Sequence, residues 1–445
     1  MIFSKDDVEC TPCTAGDTKN IEKTSSSVQP QKSTDEGDGH AALPPPPDVG
    51  VMPWIQAAGA FCLMFASWGT VVAYGTFQEY YAGSGGILEH HSSSSIAWIG
   101  SLQAFLLMFG AALTGTLYDA GYFRTMMYAG SFLMVFGLMM TSLAHNYWQI
   151  ILAQSLCTGC GMGLVALGAL ATPGTWFVKH RGLAVGLGST GSSIGGLIFP
   201  IVLRHLILKV GFAWAVRIMG FIVSAILVLP LAVSRQRLPG KKRNTLIDFK
   251  ALMQIEFGLY CLSIVLSFLG FFIPYTFIES WAISAQLDTE GVQPYYLLAI
   301  MNGASTFGRL LPNYASDKIG PLNVQLPCSV IAGVLVLNWI PVHSMGSAIT
   351  IATLYGFFSG TLVSILPTAI ASMTTNLGEL GGRIGIGYLS MAVASLIGSP
   401  VAGALVQSAG YDAARIFAGA LILAGSIAMA GSRLKITGLT IWAKA

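Results

Sequence analysis

Two ionisable side chains lie inside long apolar stretches of this sequence. Arg309 occurs within residues 294–314, and Glu279 occurs at the end of residues 257–280. If these stretches cross a bilayer, a charge near the helix centre costs at least about 2.5–3.5 kcal/mol, so its presence needs a reason. An arginine there can attract a carboxylate or another acidic group, and a glutamate can carry a proton. Both residues are therefore candidates for the chemistry of a small-molecule site.

Polar neighbours on the same helix face strengthen the case for Arg309. Ser305 lies one turn and Asn302 two turns before Arg309, so the three side chains share one face of a helix. The alternative is that Arg309, near the cytoplasmic end of its helix, reaches the membrane surface or locks an inner gate with Asp317. For Glu279 the alternative is an interfacial carboxylate that faces water. The sequence leaves these alternatives open.

Further side chains could line the same small-molecule site, although packing between helices is the more common role of such residues. They are Tyr74, Phe77, Gln103, Tyr275 and Tyr388. Arg204 and Arg217 lie near the ends of two other apolar stretches, where anchoring at the outer rim is favoured over contact with a substrate. The serines and the pair His90-His91 form no constellation typical of an enzyme. No catalytic residue is predicted.

Glycines at positions 186, 188 and 191 have the spacing of a dinucleotide-binding fingerprint. That fingerprint requires a strand before it and a helix that starts at its glycines, whereas these glycines lie inside an apolar run with no strand pattern ahead. Gly182 and Gly186, then Gly191 and Gly195, recur four residues apart. Small residues at this spacing let two membrane helices approach closely. We therefore predict helix packing here, with neither nucleotide nor any other cofactor.

The composition favours lipid over water as the main solvent of the chain. Of 445 residues, 53% are hydrophobic and only 10% are charged, whereas soluble domains carry about 25% charged residues. The net charge of +3 is too small to indicate a nucleic-acid partner. Cys10 and Cys13 form a C-x-x-C without a second ligand pair, so no metal site is predicted.

Apolar runs long enough to cross a membrane occur twelve times, in two groups of six. The first group lies near 54–77, 96–118, 125–144, 150–173, 183–206 and 214–233; the second lies near 257–280, 294–314, 323–342, 348–370, 382–406 and 414–433. The fold class predicted is an all-α integral membrane protein with twelve transmembrane helices in two six-helix pseudo-repeats.

Basic residues are concentrated in every second loop between the apolar runs, which indicates the orientation of the chain in the membrane. If the N-terminus is cytoplasmic, the inner loops hold Arg124, Lys179, Arg181, Arg235, Arg237, Lys241, Lys242, Arg243, Lys250, Lys318, Arg383, Arg433 and Lys435. The alternate loops at 78–95, 145–149, 281–293, 343–347 and 407–413 contain no Lys or Arg. Because Lys and Arg prefer the cytoplasmic side, both termini are predicted to lie inside.

This orientation divides the chain into five parts. They are a disordered cytoplasmic tail at 1–50, an N-terminal bundle at 51–234, a basic linker at 235–255, a C-terminal bundle at 256–434 and a second tail at 435–445.

The two groups repeat short motifs about two hundred residues apart. "GTLYDAG" ends the second run and "NYASDKIG" ends the eighth, which gives Asp119 and Asp317 matching places. Arg181 and Arg383 likewise open the fifth and eleventh runs. An acid at such an inner end can cap a neighbouring helix and pair with a basic residue only while the inner side is closed. We predict a gating role for Asp119, Arg124, Asp317, Lys318, Arg181 and Arg383.

Four segments resemble the monocarboxylate-porter branch of the major facilitator superfamily, especially its fungal members. They are "PDVGVMPWIQAAGAF", "WGTVVAYGTFQEYY", "WFVKHRGLAVGLGSTGSSIGG" and "FGRLLPNYASDKIGPLN", and they are distributed between residues 47 and 323. The resemblance implies the major facilitator fold and secondary active transport of small organic acids or related metabolites by alternating access. In that architecture the substrate site lies where the two halves meet.

The chain departs from the animal proton–lactate members of that branch at two places. Those members carry a lysine in helix 1, but residues 54–77 here contain no Lys or Arg. They also place an aspartate one turn before the arginine of helix 8, whereas Ser305 precedes Arg309 here. These departures shift the expectation from lactate–proton symport toward a larger or less acidic cargo, such as an exported secondary metabolite.

The function expected is therefore a secondary transporter of an organic acid or related metabolite, with efflux and proton coupling as open features. A monocarboxylate uptake symporter and a solute sensor that does not transport are the alternatives. We expect a monomer in the plasma membrane, with a vacuolar or other internal membrane as the alternative.

Overall fold

The computed structural model describes residues 50–83, 85–119, 121–177, 181–235, 249–287, 292–374 and 380–438. The predicted N-terminal tail, most of the basic linker and the last seven residues lie outside this range. The side chains of Asp119 and Arg181 are likewise outside the described part of the structure, although both residues belong to helices.

Twelve long helical segments, α1 to α12, follow one another along the described residues. Their bounds are Val51–Val72 continued by Tyr74–Ala82 (α1), Ser93–Asp119 (α2), Phe123–Thr141 (α3), Tyr147–Ile150 with Ile151–Thr158 and Gly159–Trp176 (α4), Arg181–Val233 before and after Gly211 (α5 and α6), Ile255–Ser284 (α7), Tyr296–Ile319 (α8), Pro321–Leu337 (α9), Met345–Ser372 (α10), and Leu380–Thr437 before and after Gly410 (α11 and α12). The middle part of α4 is π-helical.

Single glycines separate α5 from α6 and α11 from α12. Gly211 has φ 77° and ψ 165°, and Gly410 has φ 81° and ψ 177°, a backbone conformation that residues with a Cβ rarely adopt. At 1.5 Å per residue, each of these 53- and 58-residue stretches is more than twice as long as the hydrocarbon core of about 30 Å. Each stretch is therefore two membrane crossings, and the two glycines hold equivalent places in the two halves.

Length and hydropathy agree with a membrane-spanning fold. Among the described residues, eight stretches of helix are long and apolar enough to cross a bilayer, and the number counts Ala184–Val233 and Leu380–Thr437 once each although each holds two crossings. Large apolar side chains remain exposed on the outer faces of the helices, among them Phe132, Leu208, Phe221, Val228 and Ile427. The predicted all-α membrane fold is confirmed.

Two antiparallel helix pairs form much of the contact between the first six and the last six helices, and α1 also meets α7. In one pair α5 packs along α8, with the hydroxyls of Ser193 and Ser305 2.8 Å apart. In the other pair α2 packs along α11, where Ser94 donates to the Pro400 carbonyl at 2.9 Å. We call these the α5–α8 seam and the α2–α11 seam. They bring side chains of both halves into one interior.

The glycines of the fifth run pack against α1. A Cβ on Gly191 would collide with the Phe61 carbonyl oxygen, and one on Gly195 would lie 2.6 Å from the Phe65 carbonyl oxygen. The prediction of close helix packing is confirmed for Gly191 and Gly195, since the backbones there approach too closely for any side chain.

Gly191→Ala should therefore destabilise the protein by about 1–3 kcal/mol, because the added methyl group meets backbone that cannot yield. Gly186→Ala is the matched control within the same motif, since its Cβ would meet only Leu310 Cδ2 at 3.4 Å. The measurement is thermal unfolding of both purified variants. Equal unfolding midpoints for the two variants would contradict this account of the motif.

Candidate functional site

Arg309 lies on α8 at the contact between the two halves. Its side chain is only 5% exposed, and its Nε donates to Ser305 Oγ at 3.3 Å. Tyr275 of α7 and Tyr388 of α11 lie close enough to interact with its charge. Among the residues that the structure describes, no carboxylate forms an ion pair with Arg309. The guanidinium is thus a buried cation surrounded by hydroxyl groups.

A network of hydroxyls connects Arg309 to both halves. Ser305 Oγ is 2.8 Å from Ser193 Oγ of α5, and Tyr275 Oη is 3.0 Å from Ser359 Oγ of α10. Ser193, Ser305 and Ser359 are all completely buried. Four helices therefore contribute hydroxyls to the surroundings of one charged group.

Asn302 lies one turn beyond Ser305 and faces the same seam. Its Nδ2 donates to the Leu298 carbonyl at 2.9 Å, and its Oδ1 lies against Gly196 of α5. The predicted face of Asn302, Ser305 and Arg309 is thus directed at α5. The amide nitrogen of Asn302 is thus hydrogen-bonded within its own helix.

Glu279 lies on α7 and contacts the other half. Its side chain is 1% exposed, and Oε2 accepts a hydrogen bond from Thr76 of α1 at 3.2 Å. Oε1 has no hydrogen-bond partner among the described residues, and Arg204 and Glu79 act on the carboxyl electrostatically. The structure thus places this carboxyl in a protein interface and not in water, the alternative considered from the sequence.

A small cavity lies between the two halves, beside the α2–α11 seam. Its polar lining includes Tyr74, Ser101, Thr276, Ser395 and Ser399. The hydroxyl of Ser101 is buried and makes no hydrogen bond within the described structure. The cavity can accept a hydrogen-bonding group, and Thr276 places it one turn before Glu279.

The five predicted lining residues occupy different places. Tyr74 lines the cavity and donates to the Ile96 carbonyl, and Tyr275 and Tyr388 lie beside Arg309. Phe77 packs in an aromatic cluster with Tyr81 and Phe212, away from the cavity. Gln103 is buried, with Nε2 3.7 Å from Met162 Sδ. The structure groups only the three tyrosines with the seams.

Among the predicted gating residues whose side chains the structure describes, Arg124, Asp317 and Lys318 form no ion pair with one another. Arg124, Asp317 and Lys318 are exposed, and the Lys318 ammonium lies 4.6 Å from the Tyr314 ring centre. Arg383 is buried and donates to the Met373 carbonyl at 3.2 Å. Asp317 is thus not locked to Arg309 in this conformation.

The two rim arginines differ from each other. Arg217 donates to Ser142 Oγ at 3.1 Å and lies 5.0 Å from the Trp214 ring centre, so it stays within the first half. Arg204 is half-buried and acts on Glu279. Arg204 therefore lies nearer to the contact between the two halves at Glu279 than the sequence indicated.

Arg415 of α12 is a charged site that the sequence analysis did not identify. Its side chain is 3% exposed, and its guanidinium lies 4.5 Å and 4.6 Å from the ring centres of Trp281 and Trp339. It also bonds Asp412 at 3.0 Å. The spacing of Asp412 and Arg415 was a visible signal of an i,i+3 pair, but the two tryptophans come from distant parts of the sequence.

The family model of the Major Facilitator Superfamily matches residues 57–312 and 260–436 of the chain. These ranges include every seam and candidate residue described above. The chain belongs to the major facilitator superfamily.

Fungal members of this superfamily resemble the chain over most of its length. The "MFS-type transporter dbaD" of Emericella nidulans is 40% identical over 358 residues, which is 80% of each chain. The "Aspyridones efflux protein apdF" of the same organism is 36% identical over 410 residues, covering 91% of this chain and 83% of the other. This chain is accordingly a membrane-spanning secondary transporter and not an enzyme.

Solved structures support the superfamily fold. The crystal structure of the "peptide transporter POT in complex with sulfate" has a TM-score of 0.66, and the match covers 89% of this chain and 96% of the other. At 13% identity, the likeness concerns the arrangement of helices alone.

The contact between Glu279 and Thr76 gives a prediction for this superfamily member. Thr76→Val removes the hydroxyl donor and leaves a buried carboxyl unsatisfied, which should cost about 1–3 kcal/mol of stability. Thr70→Val is the matched control, because the Thr70 hydroxyl bonds only the Ala66 carbonyl of its own helix. Thermal unfolding of the purified variants measures the difference. A Thr76→Val variant as stable as Thr70→Val would show that the contact does not contribute.

Proposed function

We propose that this transporter exports a small organic acid or a related acidic secondary metabolite across the plasma membrane by alternating access. The name of the relative apdF, an efflux protein for aspyridones, supports export. The resemblance of the chain to fungal monocarboxylate porters supports an acidic cargo, and we propose membership of that branch.

The observation that carries this proposal is the buried cation of Arg309, which has no ion-pair partner in the part of the chain that the structure describes. A buried charge is usually stabilised by an opposite charge or by several hydrogen bonds. Here a single side-chain hydrogen bond, to Ser305, is described for the guanidinium. A carboxylate or other acidic group of the cargo would supply two further acceptors in the bidentate geometry that arginine favours.

Ser305 explains why the cation is left for the cargo. Members of the resembled branch with an aspartate at this place pair their arginine internally. With a serine one turn before Arg309, the chain provides a neutral acceptor, and the counter-charge is supplied by what binds. Tyr275 and Tyr388 would contact the apolar or polar body of the cargo beside its acidic group.

Glu279 is our proposed proton carrier. Its carboxyl touches Thr76 across the interface between the halves, so a change in its protonation would act on the contact that opens or closes there. Proton movement down its gradient would then drive the cargo outward. Asp119, Arg124, Asp317, Lys318, Arg181 and Arg383 are proposed to act at the opposite, inner gate.

Three further proposals complete the assignment. The halves are residues 51–234 and 256–434, joined by the basic linker; both termini are cytoplasmic; and the transporter works as a monomer. The distribution of Lys and Arg among the loops supports the orientation.

Arg309→Gln should raise the apparent KM for an acidic cargo about ten- to a hundredfold, because it removes a charge-assisted hydrogen bond. Arg309→Lys should recover part of the affinity, since it restores the charge without the bidentate geometry. The measurement is flux of paired aromatic and aliphatic monocarboxylates and their primary amides in cells with and without the protein.

Arg217→Gln is the control for the loss of an arginine, because Arg217 lies away from both seams. The amides should be transported poorly by the wild type and equally by all variants. Unchanged kinetics in Arg309→Gln would exclude Arg309 from the site. Accumulation inside the cells, with no outward flux, would contradict export.

Glu279→Gln should abolish the dependence of transport on an imposed pH gradient, because an amide cannot carry a proton, while exchange of cargo for cargo continues. Glu89→Gln, which changes an exposed carboxyl in the segment between α1 and α2, is the control. Flux in proteoliposomes with and without a pH gradient gives the comparison. Wild-type flux that is independent of the gradient would refute proton coupling.

A further inference from the structure

We infer that Ser193 of α5 is a positioning residue for Arg309: through Ser305 it holds an internal acceptor on the guanidinium, which the acidic group of the cargo must displace. This inference rests on the proposed role of Arg309 in binding cargo. It assigns a part of the same site to the other half of the protein.

Arg309 Nε, Ser305 Oγ and Ser193 Oγ form a row of three buried, hydrogen-bonded atoms. Arg309 Nε is 3.3 Å from Ser305 Oγ, and Ser305 Oγ is 2.8 Å from Ser193 Oγ. Both serines are completely buried, so water does not compete for their hydroxyls. Only the last bond of the row crosses from one half to the other.

The chemistry of the groups sets the direction of one of the two hydrogen bonds. Arginine has only donors, so Ser305 Oγ accepts from Arg309 Nε. Either hydroxyl can donate in the bond between Ser305 and Ser193, and our inference assigns the donor role to Ser305. A hydroxyl that donates becomes a better acceptor, so the bond to Ser193 strengthens the bond to Arg309. The Tyr275 hydroxyl lies near Ser305 and is hydrogen-bonded to Ser359 Oγ at 3.0 Å.

The hydroxyl row, Arg309–Ser305–Ser193, couples the binding of cargo at Arg309 to the contact between the two halves. While α5 and α8 are in contact, Ser193 orients Ser305 as a neutral acceptor for the cation. A cargo carboxylate offers a stronger, charged acceptor and draws the guanidinium away from Ser305. The bond between Ser305 and Ser193 then loses its reinforcement, and the contact across the α5–α8 seam weakens when cargo binds.

The second seam lacks this arrangement, although the repeat preserves the serine. Counting equally from Arg181 and Arg383 places Ser395 in the position of Ser193. Counting back equally from Asp119 and Asp317 places Ala111 in the position of Arg309. At the α2–α11 seam Ser395 instead lies 3.7 Å from Met108 Sδ. The hydroxyl row thus belongs to the half-to-half contact that holds the cation.

The test is binding of benzoate, a simple aromatic carboxylate, to the full-length protein in lipid nanodiscs. Ser193→Ala should bind benzoate about three- to tenfold more tightly, because the competing internal acceptor is weakened. Ser192→Ala is the matched control: Ser192 is equally buried, but its hydroxyl bonds only the Ser189 carbonyl of its own helix. Its affinity should equal that of the wild type. Benzamide should bind no variant measurably.

Tighter binding separates this role from a purely structural one, since a loosened site would bind more weakly. The gain should also vanish when Ser193→Ala is combined with Arg309→Gln, because Ser193 acts through the guanidinium. In transport, Ser193→Ala should lower KM.

Unchanged or weaker benzoate binding in Ser193→Ala would overturn the inference while leaving the proposed function intact, provided that Arg309→Gln abolishes binding. Benzoate binding that survives Arg309→Gln would refute the proposed function and this inference with it, as would a wild type that does not bind benzoate. Thermal unfolding of each variant establishes that it is folded.

Discussion

A guanidinium enclosed by membrane helices needs acceptors, and the arrangement around Arg309 follows from how few the chain provides. An aspartate one turn away would neutralise the charge permanently, and the arginine would then need no counter-charge from a bound molecule. A serine supplies one lone pair at 3.3 Å and no charge. The low dielectric of the surroundings makes the remaining electrostatic demand strong. The site is therefore stable enough to fold and still incomplete, which suits a carrier that must bind its cargo and later release it.

Close helix packing makes this incomplete site possible. Gly191 and Gly195 bring α5 against α1, and Gly196 lets the other side of α5 meet Asn302 of α8. With side chains at these positions, α5 could not contact α1 and α8 together, and Ser193 would not reach Ser305. Gly191 and Gly195 thus set the distance of α5 from α1 within the first half, and Gly196 allows the close approach to the other half.

Much of the fold could be predicted from the sequence because lipid imposes a simple rule. Apolar runs of about 20 residues are visible locally, and so is the shared face of Asn302, Ser305 and Arg309, which depends only on helix periodicity. The partners of these residues could not be predicted, since Thr76 and Glu279 are about two hundred positions apart. Arg415 was missed for the same reason: one of the tryptophans that enclose it lies on α7, and the other directly follows α9. Of the aromatic candidates, Phe77 packs in a local cluster, and no sequence signal separated it from Tyr275.

Gly211 and Gly410 have a mechanical consequence. Each connects two membrane crossings through a single non-helical residue, so the connection is shorter and less flexible than a loop. A tilt of α5 must therefore carry the start of α6 with it, and a tilt of α11 must carry the start of α12. The helices that form the seams are in this way connected directly to α6 and α12, whose exposed apolar side chains include Phe221 and Ile427. A change in bilayer thickness that tilts α6 or α12 is therefore expected to alter the seams as well.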